Sequence, residues 1–575
     1  MTDLFLFSIE LFIRYIGMFL YFFISGRALI LLFIKFISKS RTIPNTILET
    51  KNFITYPIFG LIYTGNILVL LNFFIPLKSS AVKIILFLIL LPNLLNFQID
   101  INLIKKLSFN NLIYFVLIPS VLLISTSDIN FHYDASYYHL NTQNWLRESN
   151  LIIGFVNIFW PFGISSIYEY LSAILWFQDS LIQLHFLSLL FIHFFYSFIF
   201  YHIFSSKNMF FKNGSILLII FSIFDNFGLS GGRNGFIYIQ AIGKQDIEIG
   251  ILVVLVTLIT TYQFKKETVN ELDLVCLSFL VLFIVQIKLS GIYILFIFFL
   301  YIFFILIKKR KNIKQILFYH TPAIIFSFIW IIKNYLMTGC LIFPVSLTCI
   351  NKFEWYIKGT TEKIELYNAN TSFGYFQYLI NPNQNFYDWA TNFLNSNKYN
   401  TFSNFYRSVY TNFTFSYLAI IFIFLILFKK KKNNNKFNLI IIFNFILTFI
   451  YLILFGPIPR YTVGFLCSII IILGFYTTDL KYKLSKTLLF FIFFASLILL
   501  PRFNSYINFI ENKNIALSEP RFSTNENIDF TKIQWVEPQF ADRCWINLSC
   551  RFEEGTLSIS KIGIFYVVKR IEVLK

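Results

Sequence analysis

The chain has 575 residues, of which 57% are hydrophobic and only 13% charged, where soluble proteins carry roughly a quarter charged residues. A net charge of +19 would suit a nucleic-acid binder, but long apolar runs exclude a soluble one, and sparse Gly and Pro with only six Cys exclude collagen, disorder and a small disulfide scaffold. What remains is an all-α polytopic integral membrane protein, with a small extracytoplasmic α/β domain expected at the C-terminus. The abundance of Phe (76 positions), Ile, Asn and Lys reads as the codon bias of an AT-rich genome and carries little functional weight.

Fourteen apolar segments are long enough to be spans. They lie near 5–34, 53–75, 80–97, 109–127, 180–204, 214–230, 246–262, 272–287, 289–307, 317–336, 416–428, 437–455, 461–478 and 487–501. Met1–Asp3 lacks a basic n-region and no small-residue cleavage site follows, so the first span is expected to stay as an anchor. With the N-terminus outside, the inward loops carry 23 Lys/Arg against 5 Asp/Glu, which places nearly all the net charge on one side. The runs Lys308-Lys309-Arg310-Lys311 and Lys429-Lys430-Lys431-Lys432 are the clearest cases. Three outward regions then have real length: 128–179, 337–415 and 502–575. No repeat of fixed period is visible, nor the paired broken helices of many transporters.

The loop 128–179 is acidic in a basic protein: Asp128, Asp134, Glu148, Glu169 and Asp179 face one Arg147. Ala135–Arg147 fits a short amphipathic helix with Tyr138, Asn141 and Trp145 on one face. Asp134 stands where a helix cap would, a role compatible with catalysis. His139, one turn on, is placed to share a site with Asp134, or to be a structural interfacial histidine. Asp128 abuts the fourth span and suits a span-ending charge.

These residues carry a resemblance. The acidic loop resembles the first extracytoplasmic loop of the GT-C superfamily of polytopic glycosyltransferases, which take sugars from polyprenyl-phosphate donors. More closely, Tyr133-Asp134-Ala135-Ser136-Tyr137-Tyr138-His139-Leu140, then Gly154-Phe155-Val156-Asn157, resembles a family of uncharacterised bacterial membrane proteins with a D-A-x-x-Y-H-L loop and a G-x-x-N element. Arg233-Asn234-Gly235, Gly243-Lys244-Gln245-Asp246, Lys288-Leu289-Ser290, Lys333-Asn334-Tyr335, Pro457-Ile458-Pro459-Arg460-Tyr461 and Cys544-Trp545 with Cys550 look like further pieces in the same order. The resemblance implies residues 1–97 as a three-helix extension, 98–501 as a GT-C-like core and 502–575 as a small periplasmic domain. It also implies a loop Asp as general base or metal ligand.

Between the sixth and seventh spans, a Gly-rich turn with Arg233 and Lys244 suits a phosphate, since exposed N–H groups and cations converge there. Snorkelling to the interface is the alternative for both cations. Asp246 and Glu248 open the seventh span, where they would favour a helix N-terminus or join a polar site with Asn157 and Asp128. Lys288, Lys333 and Arg460 are single cations near outer span ends, candidates for the donor phosphate. A turn for Lys288 and a salt bridge for Arg460 are the alternatives. The loop 337–415 is rich in Asn and aromatics, which suits sugar recognition and equally an interfacial loop.

In the tail, Lys532–Val536 and Gly563–Val568 look strand-like. Cys276 and Cys467 lie within spans. Cys544 and Cys550 are spaced to close a disulfide in an oxidising compartment, and Cys340–Cys349 is a second candidate pair. No spacing suggests zinc, and His185, His193 and His202 are too spread along one helix to share an ion.

The leading expectation is a glycosyltransferase of the bacterial inner membrane. Its N-terminus and C-terminal domain would be periplasmic. Its partners would be the bilayer, a polyprenyl-phosphate sugar donor and a glycan, lipid or protein acceptor, with no nucleic acid. Asp134 would act as base or hold a divalent cation (Mg or Mn), Tyr138 and His139 would position groups, and Arg233, Lys244 and Arg460 would steady the leaving phosphate. The alternatives are a glycan polymerase or ligase using diphosphate-linked oligosaccharide, and a transporter or flippase.

Overall fold

The protein is described here as a computed structural model. Its described residues are 2–37, 54–96, 109–124, 126, 131, 133–176, 181–206, 208–227, 245–266, 270–308, 313–350, 352, 355–356, 361–365, 442–444, 446–447, 450, 463–476, 485–510, 533–538, 543–552 and 556–570.

They are mostly helical. In chain order come α1 (Thr2–Ile37), α2 (Tyr56–Asn72), α3 (Ser80–Leu88), α4 (Phe109–Leu112) and α5 (Ile118–Ile124), the last two joined by a π turn. Two short helices of the first loop follow, α6 (Leu140–Glu148) and α7 (Ile167–Ala173). Next are α8 (Phe186–Phe204), α9 (Met209–Phe227), α10 (Asp246–Lys266), α11 (Glu271–Ile287), α12 (Ile294–Lys308), α13 (Ile313–Thr338), α14 (Val463–Tyr476) and α15 (Lys486–Ile510). One antiparallel pair, β1 (Leu557–Ile562) with β2 (Phe565–Arg570), ends the described chain.

Five helical stretches among the described residues are long and apolar enough to cross a membrane: 9–37, 182–204, 246–264, 289–307 and 313–338. Shorter apolar helices accompany them, including those at 56–72, 110–124, 209–222, 464–474 and 486–498. The expected segment 416–428 lies outside the described residues, and 437–455 is described only in part.

Long apolar helices with no amphipathic stripe are buried by their neighbours on all sides. Thus α8 and α10 are almost wholly inside, whereas about two thirds of the most apolar windows of α12 and α13 face outward. Small residues let helix backbones touch. At the α1–α2 crossing, a Cβ on Gly26 would lie 1.8 Å from the Tyr56 carbonyl oxygen, and one on Gly60 would lie 1.9 Å from that of Phe22. Buried polar side chains between helices pair with each other: Gln286 Nε2 donates to Asn66 Oδ1 at 2.9 Å, and Tyr15 Oη bonds His193 Nδ1 at 2.9 Å.

The loop after α5 builds a lobe on one end of the bundle, and the C-terminal hairpin is part of it. Trp145, Leu151, Phe155, Phe159 and Phe162 share one apolar cluster with Leu548 and Val568. Asparagines stitch this lobe together. Asn141, Asn144, Asn150 and Asn157 each donate through Nδ2 to a carbonyl of the C-terminal segment: those of Asn547, Ile546, Ile564 and Val568, at 2.6–2.9 Å. Both candidate cysteine pairs, Cys544–Cys550 and Cys340–Cys349, are disulfides, while Cys276 and Cys467 are free and buried. The strand expected at Lys532–Val536 is reduced among the described residues to a single bridge, Val536 with Cys550. Of the second expected run, Phe565–Val568 falls in β2 and Gly563–Ile564 form the turn before it; β1, Leu557–Ile562, is not among the expected strands.

Candidate functional site: a polar mouth on an apolar cavity

The helix expected at Ala135–Arg147 starts earlier and is not regular. Residues 135–139 form a π turn, in which the Leu140 N–H reaches back to the Ala135 carbonyl, and α6 continues from it. Asp134 stands at the start of that turn in helical geometry and its side chain makes no cap bond, which corrects the capping expectation. A π turn holds one residue more than an α turn, so it re-aims side chains, and such bulges recur at functional sites. Here Asp134, Tyr138 and His139 all come to line one cavity. From outside, the Trp545 N–H donates to the Ser136 carbonyl at 2.9 Å. Trp545, next to the disulfide-bonded Cys544, adopts a φ of 51°.

The cavity measures about 850 Å³. Its mouth is polar: besides the three helix residues it has Ser165 and Ser166 from the loop before α7, Gln245 and Asp246 at the start of α10, Lys288 after α11, and Asn334. Its body is mostly apolar and runs between α11, α12 and α13, past Val285, Leu295, Phe298, Ile302, Ile316 and Ile324, with Ser278, His320 and Ser327 as the polar side chains on its wall. The wall spans most of the length of α12 and α13, the two least buried of the long helices.

Charges at the mouth are not equivalent. Lys288 Nζ bonds Asp246 Oδ1 at 2.7 Å, an ion pair whose carboxylate is buried and whose ammonium is partly exposed. Lys288 therefore brings a neutralised charge to the cavity. Glu248, two residues along α10, is fully buried and accepts from Tyr168 Oη at 3.4 Å. Burial, and then the Glu248 and Glu169 carboxylates, push the Tyr168 phenol well above its ordinary value, so it stays a donor. Lys333 is fully buried. Its ammonium bonds Ser165 Oγ and sits 3.3 Å from the centre of the Trp330 ring. Among the described residues no carboxylate pairs with it. Ser165, Trp330 and Asn334 around it line the cavity.

Asn157, expected at a polar site, is not among the cavity's lining residues. Its side-chain amide ties the loop to the Trp355 and Val568 carbonyls. Next to it Gly154 has a φ of 70°, and a Cβ there would lie 2.2 Å from the Val568 carbonyl oxygen, so only Gly fits that turn. Asp128, Arg233, Lys244 and Arg460 lie outside the described residues. No group of three His, Cys, Asp or Glu converges on a metal-sized point among the described residues.

Glu169 is the site residue that sequence reasoning passed over, counting it only as a loop charge. It is buried, holds the His139 Nδ1 position through Oε1, and accepts from Gln143 Nε2 at 2.7 Å through Oε2. Ser166-Ile167-Tyr168-Glu169 reads as a capping box, a signal for a merely structural glutamate. Ser166 does cap α7, accepting from the Tyr168 N–H at 3.2 Å. Glu169 turns to the histidine instead.

Fold and site define a helical, membrane-associated protein whose apolar cavity opens at a charged mouth built by an acidic loop. The chain belongs to the family described as "Domain of unknown function (DUF8201)", which it matches over residues 9–467. No curated protein and no solved structure matches it.

Proposed function

We propose that the protein is a GT-C-like membrane glycosyltransferase that moves a sugar from a polyprenyl-phosphate donor to a hydroxyl acceptor at the outer face of a bacterial inner membrane. In this reading the chain crosses the bilayer fourteen times with its N-terminus and hairpin lobe outside, as its loop charges suggest. The carrying observation is the single cavity that joins Asp134, Tyr138 and His139 to an apolar wall as long as α12 and α13. A soluble sugar nucleotide has no use for such a wall, whereas a prenyl tail lies naturally along it with its phosphate at the mouth. Lys333 would offset the leaving phosphate's charge, assisted by Arg233, Lys244 and Arg460, while Lys288 stays paired with Asp246. Asp134 would face the acceptor hydroxyl and the positive charge that develops on the sugar.

Lipid extracts of a deletion strain test the reading: a polyprenyl-phosphate sugar should accumulate, and its glycan product should vanish. Asp134→Asn should abolish product formation while the protein still inserts at wild-type levels. Unchanged lipid-linked sugars in the deletion strain would remove the glycosyltransferase reading.

A further inference from the structure

His139 and Glu169 lie 30 residues apart in sequence and meet inside the lobe. Both are buried. The histidine's Nδ1 bonds Glu169 Oε1, and the other carboxylate oxygen accepts from Gln143 Nε2. The Gln143 amide is itself held, because its Oε1 accepts the Trp176 indole N–H at 2.9 Å. With both Glu169 oxygens accepting, the hydrogen of a neutral imidazole sits on Nδ1, and Nε2 is left as a lone pair. That Nε2 is buried and has no hydrogen-bond partner among the described residues, and His139 is one of the residues that line the cavity. Leaving such an acceptor unsatisfied costs roughly 1–3 kcal/mol, and a hydroxyl entering the cavity would satisfy it.

We infer that His139 Nε2 is the proton acceptor of the reaction and that Glu169 is the residue that positions it. The inference rests on the glycosyltransferase reading and adds a base to it. The acceptor's hydroxyl oxygen attacks the anomeric carbon. The bond from that carbon to the donor's phosphate oxygen breaks, and its electron pair leaves on the phosphate. The hydroxyl proton passes to Nε2, giving an imidazolium held by the Glu169 carboxylate, and is lost to water before the next turnover. Around the ring, the titratable or charged groups are Asp134 and Tyr138 on its own helix, Glu169 on α7, and Asp246 and Lys288 at the cavity mouth, with Tyr168 and Glu248 behind. Asp246 and Lys288 neutralise each other, and only Glu169 touches Nδ1 among the described residues.

The test uses membranes of the deletion strain carrying each full-length variant, supplied with that strain's own extracted polyprenyl-phosphate sugars. Transfer is measured across pH and normalised to membrane-inserted protein. His139→Gln should lower kcat by about 100-fold or more with KM within about threefold, the size of a lost general base. Glu169→Gln should lower kcat about tenfold with KM within about threefold, because the ring loses the carboxylate that holds its Nδ1–H; Glu169→Asp, which keeps a carboxylate, should restore most of that rate. Wild-type rates in His139→Gln or in Glu169→Gln would overturn the assignment alone. Wild-type membranes no more active than the deletion strain would instead overturn the glycosyltransferase reading, and this step with it. A readout independent of turnover is the ring tautomer, from ¹⁵N spectra of histidine-labelled protein in detergent, with the signal identified by its loss in His139→Gln. Nδ1–H with bare Nε2 supports the pair, and Nε2–H overturns it whatever the reaction.

Discussion

Lys333 is the residue whose surroundings ask most for a ligand. A buried ammonium costs several kcal/mol in lost hydration, and the Trp330 face returns about 2 kcal/mol at best. The Ser165 hydroxyl supplies one more partner. A phosphate arriving at the mouth would complete the set, whereas a purely structural lysine would be replaced there by an apolar side chain without loss. Lys333→Met should therefore raise KM for a prenyl-phosphate donor by roughly 30-fold, about 2 kcal/mol of a charge-assisted contact. The apparent melting temperature of the detergent-solubilised protein should hold or rise. A fall in melting temperature with KM unchanged would make Lys333 a packing residue. The sequence grouped Lys333 with Lys288 as single cations near outer span ends, and nothing in the spacing distinguished it from Lys288, whose charge is consumed by Asp246 42 positions away.

Among elements, the π turn at Ala135–His139 decides which side chains share a site. An α-helical reading groups Tyr138, Asn141 and Trp145, but in the structure Tyr138 lines the cavity, Asn141 ties down the C-terminal segment and Trp145 enters the apolar cluster. Local sequence carries no mark for the turn, because part of what surrounds it comes from about 400 residues away: the Trp545 N–H reaches Ser136, and Asn144 reaches Ile546. For the same reason the asparagines, which composition assigns to codon bias, do structural work that only the fold reveals. The Cys544–Cys550 disulfide closes the segment that makes these contacts, and the spacing did announce it. A short loop of this kind stabilises by about 2 kcal/mol in the chain-entropy account. Cys544→Ser with Cys550→Ser should thus lower the melting temperature of the solubilised protein and speed proteolysis of the lobe, while spans buried within the bundle keep their protection. Equal protease resistance of the two proteins would mean that the asparagine bonds hold the segment unaided.

At the scale of the whole molecule, charge, apolar excess and cavity describe one device. In the proposed reading the basic loops orient the chain, the helices fill the bilayer, and the lobe that carries Asp134 sits at the end of the groove where Asp246 and Lys288 also lie. The apolar wall does not supply affinity in the usual way, because a prenyl tail leaving lipid for the groove exchanges one apolar environment for another. In the proposed reading, recognition then comes mainly from the phosphate and sugar, with the wall setting where along the membrane normal the head is held. Two consequences can be measured in reconstituted vesicles. Farnesyl phosphate should compete with a long polyprenyl phosphate within about tenfold, since both present the same head, whereas farnesol should compete poorly because it lacks the charge that Lys333 receives. Val285→Trp, which adds bulk to the partly exposed groove wall, should raise KM for the long-chain donor by several-fold, as overpacking a close-fitted wall does at a cost of about 1–3 kcal/mol. The same change should leave inhibition by inorganic phosphate unaltered. If Val285→Trp weakened both equally, the groove would not be the tail's path, and the cavity would have to be read from its mouth alone.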